Sequence, residues 1–255
     1  MLVICHYGEI ALKGDNRKFF EEKLVENIKK SLQQNGVVFN YVQRISGRIL
    51  VELRETDPPQ ISGGLFPVVL GLQRVFGISY FAFAWQCVLG IEEIKKMSVE
   101  ILKEKSFNSF KVETKRGNKN FALTSQQVNE QIGEEVLNKI LPLRNSTDRQ
   151  NCVKVDLHNP DIILYIEIIE KYAFIYTKKI AGPGGLPLGV SGKAISLISG
   201  GIDSPVASYL MMKRGVENIF VHFYSNQQGY EQSLEKVRDI LRVLKKYQEK
   251  IKVYF

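Results

Sequence analysis

Leu197-Ile198-Ser199-Gly200-Gly201-Ile202-Asp203-Ser204-Pro205 joins an apolar run to a helix-forming one. Residues 194–198 predict a buried strand, and residues 205–212 predict a helix. Proline suits a first helical turn, where an N–H has no intrahelical partner. Between the two lie a serine, two glycines, an isoleucine, an aspartate and a second serine. Glycines let the backbone fold tightly and approach a ligand closely. A strand-to-helix turn of this kind aims free N–H groups and the positive helix end, about half a charge, at an anion. Phosphate is the expected anion.

No Gly-Lys-Ser/Thr closes the turn, so it is not a Walker A loop. The order Ser-Gly-Gly-x-Asp-Ser resembles the pyrophosphate loop of ATP pyrophosphatases, which activate a carbonyl oxygen by adenylylation. The plainer alternative is a polar turn that happens to hold two glycines. Six ordered positions between a strand and a helix weigh against it.

The chain has 255 residues, 44% hydrophobic and 24% charged, ordinary values for a soluble globular protein of one to three domains. Its formal charge of +8 makes a polyanionic partner plausible. No apolar run approaches the ~18 residues that would span a membrane. The first five residues are too short and too uncharged at the start for a signal peptide. Cys5, Cys87 and Cys152 are odd in number and far apart, which argues for a reducing cytoplasm over a disulfide framework. No Cys-x-x-Cys pair indicates zinc.

A strand over 2–7, a polar loop over 8–17 and a helix capped by Asp15 or Asn16 open the chain. That helix directs Phe20, Leu24, Ile28 and Leu32 inward, broadened by Phe19 and Val25, with Lys18, Lys23, Glu21, Glu22 and Glu26 on a solvated face. Strands over 37–44 and 48–53 complete a β-α-β-β half of a ferredoxin-like unit. A linker is expected around 57–64. A helix over 66–76, a strand over 79–88 and a helix over 91–105 follow. The strand beginning at Phe110 runs into a basic loop holding Lys111, Lys115, Arg116 and Lys119, with Phe121 beyond it. These cations can neutralise phosphates, and an exposed ring can stack on a base; equally, the stretch can be a solvated turn with two core phenylalanines. A helix over 124–140 and strands over 152–157, 162–169 and 172–177 round off a compact α+β region. Residues 181–193 carry five glycines, a linker that either packs closely or stays mobile. Beyond the quoted turn come a strand over 218–224, a helix over 230–247 and a strand over 251–255. This β-α-β-α-β order implies a parallel, doubly wound sheet with its ligand at the C-terminal strand ends. His222 and Phe223 fall at that edge.

Taken together these blocks resemble the tRNA 4-thiouridine synthetases (tRNA sulfurtransferases). Gly8-Glu9 with Lys13-Gly14-x-Asn16-Arg17 is similar to their ferredoxin-like opening. Phe76-Gly77-Ile78, Lys115-Arg116 and Asn159-Pro160-Asp161 with Glu167 are similar to their THUMP domain, and Gly184-Gly185-Leu186-Pro187-x-Gly189 leads into the loop as in the family. The resemblance implies domains at 1–58 (ferredoxin-like), 65–180 (THUMP), 181–192 (linker) and 193–255 (an incomplete ATP pyrophosphatase sheet). It implies that tRNA is gripped by the first two domains, with Lys13, Arg17, Lys111, Lys115, Arg116 and Lys119 as candidate RNA contacts. Leu197, Ile198, Ser199, Gly200, Gly201, Ile202, Asp203, Ser204, His222 and Phe223 would hold ATP, and Asp203 would orient Mg²⁺ or the loop. A uridine carbonyl would be adenylylated and AMP displaced by sulfur from a persulfide supplied by a cysteine desulfurase, in the cytoplasm, with a link to thiamine synthesis and the option of a homodimer. The cysteine that carries sulfur in the family has no counterpart after residue 193, so it is expected beyond Phe255. The competing functions are a tRNA-binding module with a vestigial ATP loop, and a small-molecule amidating synthetase that would leave the first 180 residues without a role.

Overall fold

A computed structural model describes residues 1–54, 65–144, 153–223 and 230–255. The linker expected around 57–64, Cys152 and Tyr224 lie outside the described residues. Strand β1 (Leu2–His6) enters two 3-10 turns, Glu9–Leu12 and Gly14–Asn16, and then α1 (Arg17–Gln34). Asn16 takes the N-cap position without a side-chain capping bond. The 3-10 turn runs directly into the helix, with Asn16 N–H donating to the Lys13 carbonyl at 3.1 Å, so no extended capping residue intervenes. Leu24, Ile28 and Leu32 are buried, as the spacing predicts, whereas Phe19 is exposed and Glu21 is buried.

Strands β2 (Phe39–Ile45) and β3 (Arg48–Leu53) pair antiparallel across Ser46-Gly47. Both turn residues have positive φ, +33° and +82°, the geometry whose twist matches that of a tight hairpin. Helix α2 (Phe66–Leu72) stops short of the expected residue 76. Gly77, at φ +103°, donates to the Gly184 carbonyl at 2.8 Å and is hemmed in by Leu24 and Pro187.

The remaining elements are β4 (Tyr80–Val88), α3 (Ile91–Lys103), β5 (Ser109–Arg116), α4 (Ser125–Arg144), β6 (Lys154–Val155), β7 (Ile162–Ile169), β8 (Tyr172–Tyr176), β9 (Ile180–Ala181), β10 (Lys193–Leu197), α5 (Asp203–Lys213), β11 (Glu217–Val221), α6 (Tyr230–Leu244) and β12 (Lys252–Tyr254). They fall into two compact units, Met1–Ile4 with Ala82–Lys179, and Cys5–Phe81 with Ile180–Phe255.

In the first unit β4, β8, β7, β5 and β6 lie side by side in that order, with β5 parallel to β7 and β8 antiparallel to it. Helices α3 and α4 pack on this sheet through Ile94, Leu102, Val128, Ile132 and Val136, against Phe110, Leu164, Ile166 and Ile175. Thr124 and Gln127 cap α4 reciprocally. Gln127 N–H donates to Thr124 Oγ1 at 3.2 Å, and Thr124 N–H donates to Gln127 Oε1 at 2.8 Å. The Asn159-Pro160-Asp161 turn is similarly tied down. Asp161 accepts from the N–H groups of Asn108 and Ser109, which holds its carboxyl below the usual carboxylate range.

In the second unit β10, β11 and β12 form a parallel sheet in chain order. Ile198, Met212, Phe220, Val237, Leu241 and Leu244 form its core, with Phe76 from the N-terminal half inserted among them. The expectation of a buried strand at 194–198 is corrected here. Ile195 and Leu197 are 71% and 60% exposed, and only Ile198 is buried. Strand β10 is an edge strand in this sheet, so its apolar run alternates between a packed and an open face.

The glycine-rich linker packs closely. Leu186 N–H donates to the Lys213 carbonyl and Gly189 N–H to the Gly215 carbonyl. A Cβ on Gly185 would lie 2.1 Å from the Lys213 oxygen. Asn27 of α1 donates to the Leu188 carbonyl at 3.1 Å, and Arg214 pairs with Glu9 at 2.7 Å. These bonds join the N-terminal half to the parallel sheet within one unit.

Candidate functional site

The turn 198–204 lies at the C-terminal end of β10, where parallel strands present their ligand edge. Helix α5 begins at Asp203, two residues earlier than expected, so Pro205 is its third residue. A proline there still removes only an N–H that lacks a helical partner. Ser204 bridges the turn: its Oγ accepts from Ser199 N–H at 3.0 Å and lies 3.2 Å from Ser199 Oγ. Among the described residues no acceptor takes the N–H of Gly200 or Ile202. Asp203 stands exposed at the start of the helix. No group of three or more acidic, histidine or cysteine side chains that could hold a metal occurs among the described residues.

Beneath the turn runs a chain of hydrogen bonds absent from the sequence reading. Ser208 Oγ donates to the Ser204 carbonyl at 2.7 Å, so its single proton is committed. The 2.6 Å contact between Ser196 Oγ and Ser208 Oγ is therefore donated by Ser196. Asn218 Nδ2 donates to the Ser208 carbonyl, and Gln248 accepts from Asn218 N–H and donates to Asn218 O. These bonds fix the first turn of α5 against β10 and β11.

His222 follows β11 and is buried at 5% exposure. Its Nδ1 lies 2.8 Å from the Ile198 carbonyl, which can only accept, so Nδ1 carries the hydrogen. Nε2 is then a buried acceptor, and it has no hydrogen-bond partner. The Phe255 ring stands edge-on at 6.2 Å, while Phe223 and Leu197 are largely exposed. The Lys236 side chain of α6 lies along Gly200, its Cβ and Cδ each 3.6 Å from where a Gly200 Cβ would stand. Lys236 escaped the sequence reading because one lysine on an amphipathic helix looks like any other solvated charge.

The candidate RNA residues fall in both units, and they are not equally free. Lys13 stacks over Phe20 at 5.2 Å. Arg17 donates to Glu21 at 2.9 Å and to Tyr7 at 2.8 Å. Glu21 also takes Arg44 at 3.0 Å and the Tyr7 hydroxyl. Burial, and then the bond to Glu21, push the Tyr7 phenol up to about 12. Arg116 is spent on the carbonyls of Phe121 and Leu123 at 3.0 and 2.7 Å, curling the loop back on itself. Lys115 and Lys119 are exposed, and Lys111 is half-buried on β5. Phe110 is fully buried and Phe121 packs against the core, so neither ring is offered to a base.

Family models match the chain in three successive blocks. The ferredoxin-like domain of ThiI matches residues 2–82, the THUMP domain residues 90–178, and the thiamine biosynthesis protein (ThiI) model residues 189–255. The chain is 44% identical over 253 residues to a probable tRNA sulfurtransferase of Thermoanaerobacter pseudethanolicus, covering 99% of this chain and 61% of that protein. It is 42% identical over 245 residues to one from Moorella thermoacetica, covering 96% of this chain and 58% of that protein. The chain belongs to the tRNA sulfurtransferase (ThiI) family. Two solved structures agree. PH1313 from Pyrococcus horikoshii Ot3 superposes with a TM-score of 0.80 at 32% identity, covering 99% of this chain and 78% of that one. A 4-thiouridine synthetase in complex with RNA and bound ATP superposes at 0.71 with 36% identity, covering 96% of this chain and 58% of that one. The chain thus spans about three fifths of the length of the curated relatives it matches.

Proposed function

We propose that this chain supplies the tRNA-gripping region and the ATP loop of a tRNA sulfurtransferase that makes 4-thiouridine. The observation that carries the reading is the turn 199–204. It offers unbonded N–H groups at a helix start, beside a buried histidine acceptor, on the ligand edge of a parallel sheet. The N–H groups from Ser199 to Ser204 would hold the ATP phosphates. Leu197, Ile198, His222 and Phe223 would border the base. Asp203 would face Mg²⁺ held mainly by the phosphates themselves.

The uridine C4 carbonyl oxygen attacks the α-phosphorus and pyrophosphate leaves. The terminal sulfur of a protein persulfide, charged by a cysteine desulfurase, then bonds to C4 while the C–O bond breaks and AMP departs. A second thiol attacks the carrier sulfur of the resulting S–S bond, forming a disulfide, and the electron pair of the broken bond stays on the sulfur left at C4; a thiol reductant then reduces that disulfide. In this scheme the residues of this chain hold the phosphates and shield the base. The exposed lysines Lys115 and Lys119, with Lys13 and Lys111, would meet the RNA backbone, and Arg17 and Arg116 would shape the surfaces that carry them.

The deciding assay uses the full-length gene product with unmodified tRNA, ATP, Mg²⁺, cysteine and a cysteine desulfurase. Thiolated uridine is expected, abolished by Asp203→Ala. Tight tRNA binding that neither needs ATP nor leads to thiolation would favour a binding module with an inactive loop.

A further inference from the structure

A Walker-type loop brings its own lysine to the phosphates, but no cation occurs between Ser199 and Ser204. A bound triphosphate carries several negative charges, and a helix end offsets only about half of one. Mg²⁺ on the phosphates offsets part of the remainder, and a side-chain cation from another element can offset more. The geometry points to Lys236: we propose that its ammonium, delivered from α6, neutralises the nucleotide phosphates above Gly200. This inference rests on the nucleotide reading of the loop.

The support is positional. Cβ and Cδ of Lys236 both lie at ordinary van der Waals range from the position a Gly200 side chain would occupy, so the lysine stem runs alongside the loop. The ammonium is one methylene beyond Cδ. A glycine at 200 leaves that passage clear. Lys236 has no ion-pair partner among the described residues. Asp239, one turn further along α6, is taken by Arg242. Lysine stems pack on neutral surface while the head stays available to an anion. At the start of the same turn the ring of His222 is held on the Ile198 carbonyl, with its Nε2 buried and partnerless. A nucleotide, with a donor-bearing base and phosphates, has groups for both the histidine and the lysine.

The test is nucleotide binding to the full-length gene product, comparing ATP with adenosine in the presence of Mg²⁺. Lys236→Ala is expected to weaken ATP about tenfold or more, the scale of one charged hydrogen bond, and to leave adenosine unchanged. Lys236→Arg should restore most of the ATP affinity, and Lys245→Ala, also exposed and on the turn just after α6, should change nothing. ATP binding to Lys236→Ala as tight as to the unaltered protein would overturn the inference. So would an equal loss of ATP and adenosine, which would mark Lys236 as a packing residue. If the unaltered protein bound neither nucleotide, the nucleotide reading itself would fall, and the proposal with it.

Discussion

Arg116 and its neighbour Lys115 show how differently adjacent cations can serve. Arg116 holds two carbonyls of its own loop, and Lys115 is exposed. Arg116→Ala is expected to cost about 2 kcal/mol of stability in urea unfolding, because charged hydrogen bonds to carbonyls are lost. Lys115→Ala should leave unfolding unchanged and reduce the salt dependence of tRNA binding by about one unit of slope. Equal effects of the two substitutions on both measurements would contradict this division. Tyr7 makes a second residue-level case. Its phenol is held protonated up to about pH 12, above its unfolded value near 10. The folded state therefore binds more protons in that window, and the contribution of Tyr7 is complete below pH 10 and lost as pH rises toward 12. Tyr7→Phe should flatten the alkaline limb of a stability-against-pH curve, measured by chemical unfolding.

Among the elements, α4 and β10 allow sharp contrasts. Thr124→Ala removes one half of a reciprocal cap and should cost about 1 kcal/mol; helix content before and during thermal unfolding is the readout. At the end of β10 the neighbours Leu197 and Ile198 differ in burial, 60% against 3% exposed. Leu197→Ser should stay within about 0.5 kcal/mol of the parent, whereas Ile198→Ala should cost about 2 to 3 kcal/mol. Four-residue spacing made most helices legible, since Leu24, Ile28 and Leu32 or Val128, Ile132 and Val136 line one helix face with mostly polar residues between them. It misplaced Phe19 and Glu21. A stripe's edge is decided by what packs there, and Glu21 is drawn inward by Tyr7, Arg17 and Arg44, residues scattered along the sequence.

For the molecule as a whole, the linker at 181–193 links the distant parts of the second unit. Gly185 has φ +78° and no room for a Cβ beside the Lys213 carbonyl. Gly185→Ala is expected to lower stability by at least about 2 kcal/mol, from both the left-handed backbone and the clash, with loss of ATP binding as a secondary readout. Composition and motif order by themselves determined a basic chain with a βαββ start, a THUMP-like middle and a phosphate turn opening a parallel sheet. Those features are local: the order Ser-Gly-Gly-Ile-Asp-Ser between an apolar run and a helix former carries its meaning wherever it sits. The same order could not say whether the glycine-rich stretch packs or moves, which cations are spent on their own backbone, or how far β10 is covered. Only the tertiary structure decided that Ser196, Ser208, Asn218 and Gln248 brace the turn from below and that Lys236 runs past Gly200. Hydrogen bonds and charge pairs form between residues far apart in the chain, and their partners exist only once the chain has folded. The phosphate turn is legible as a turn, but the groups that surround it become neighbours through packing alone.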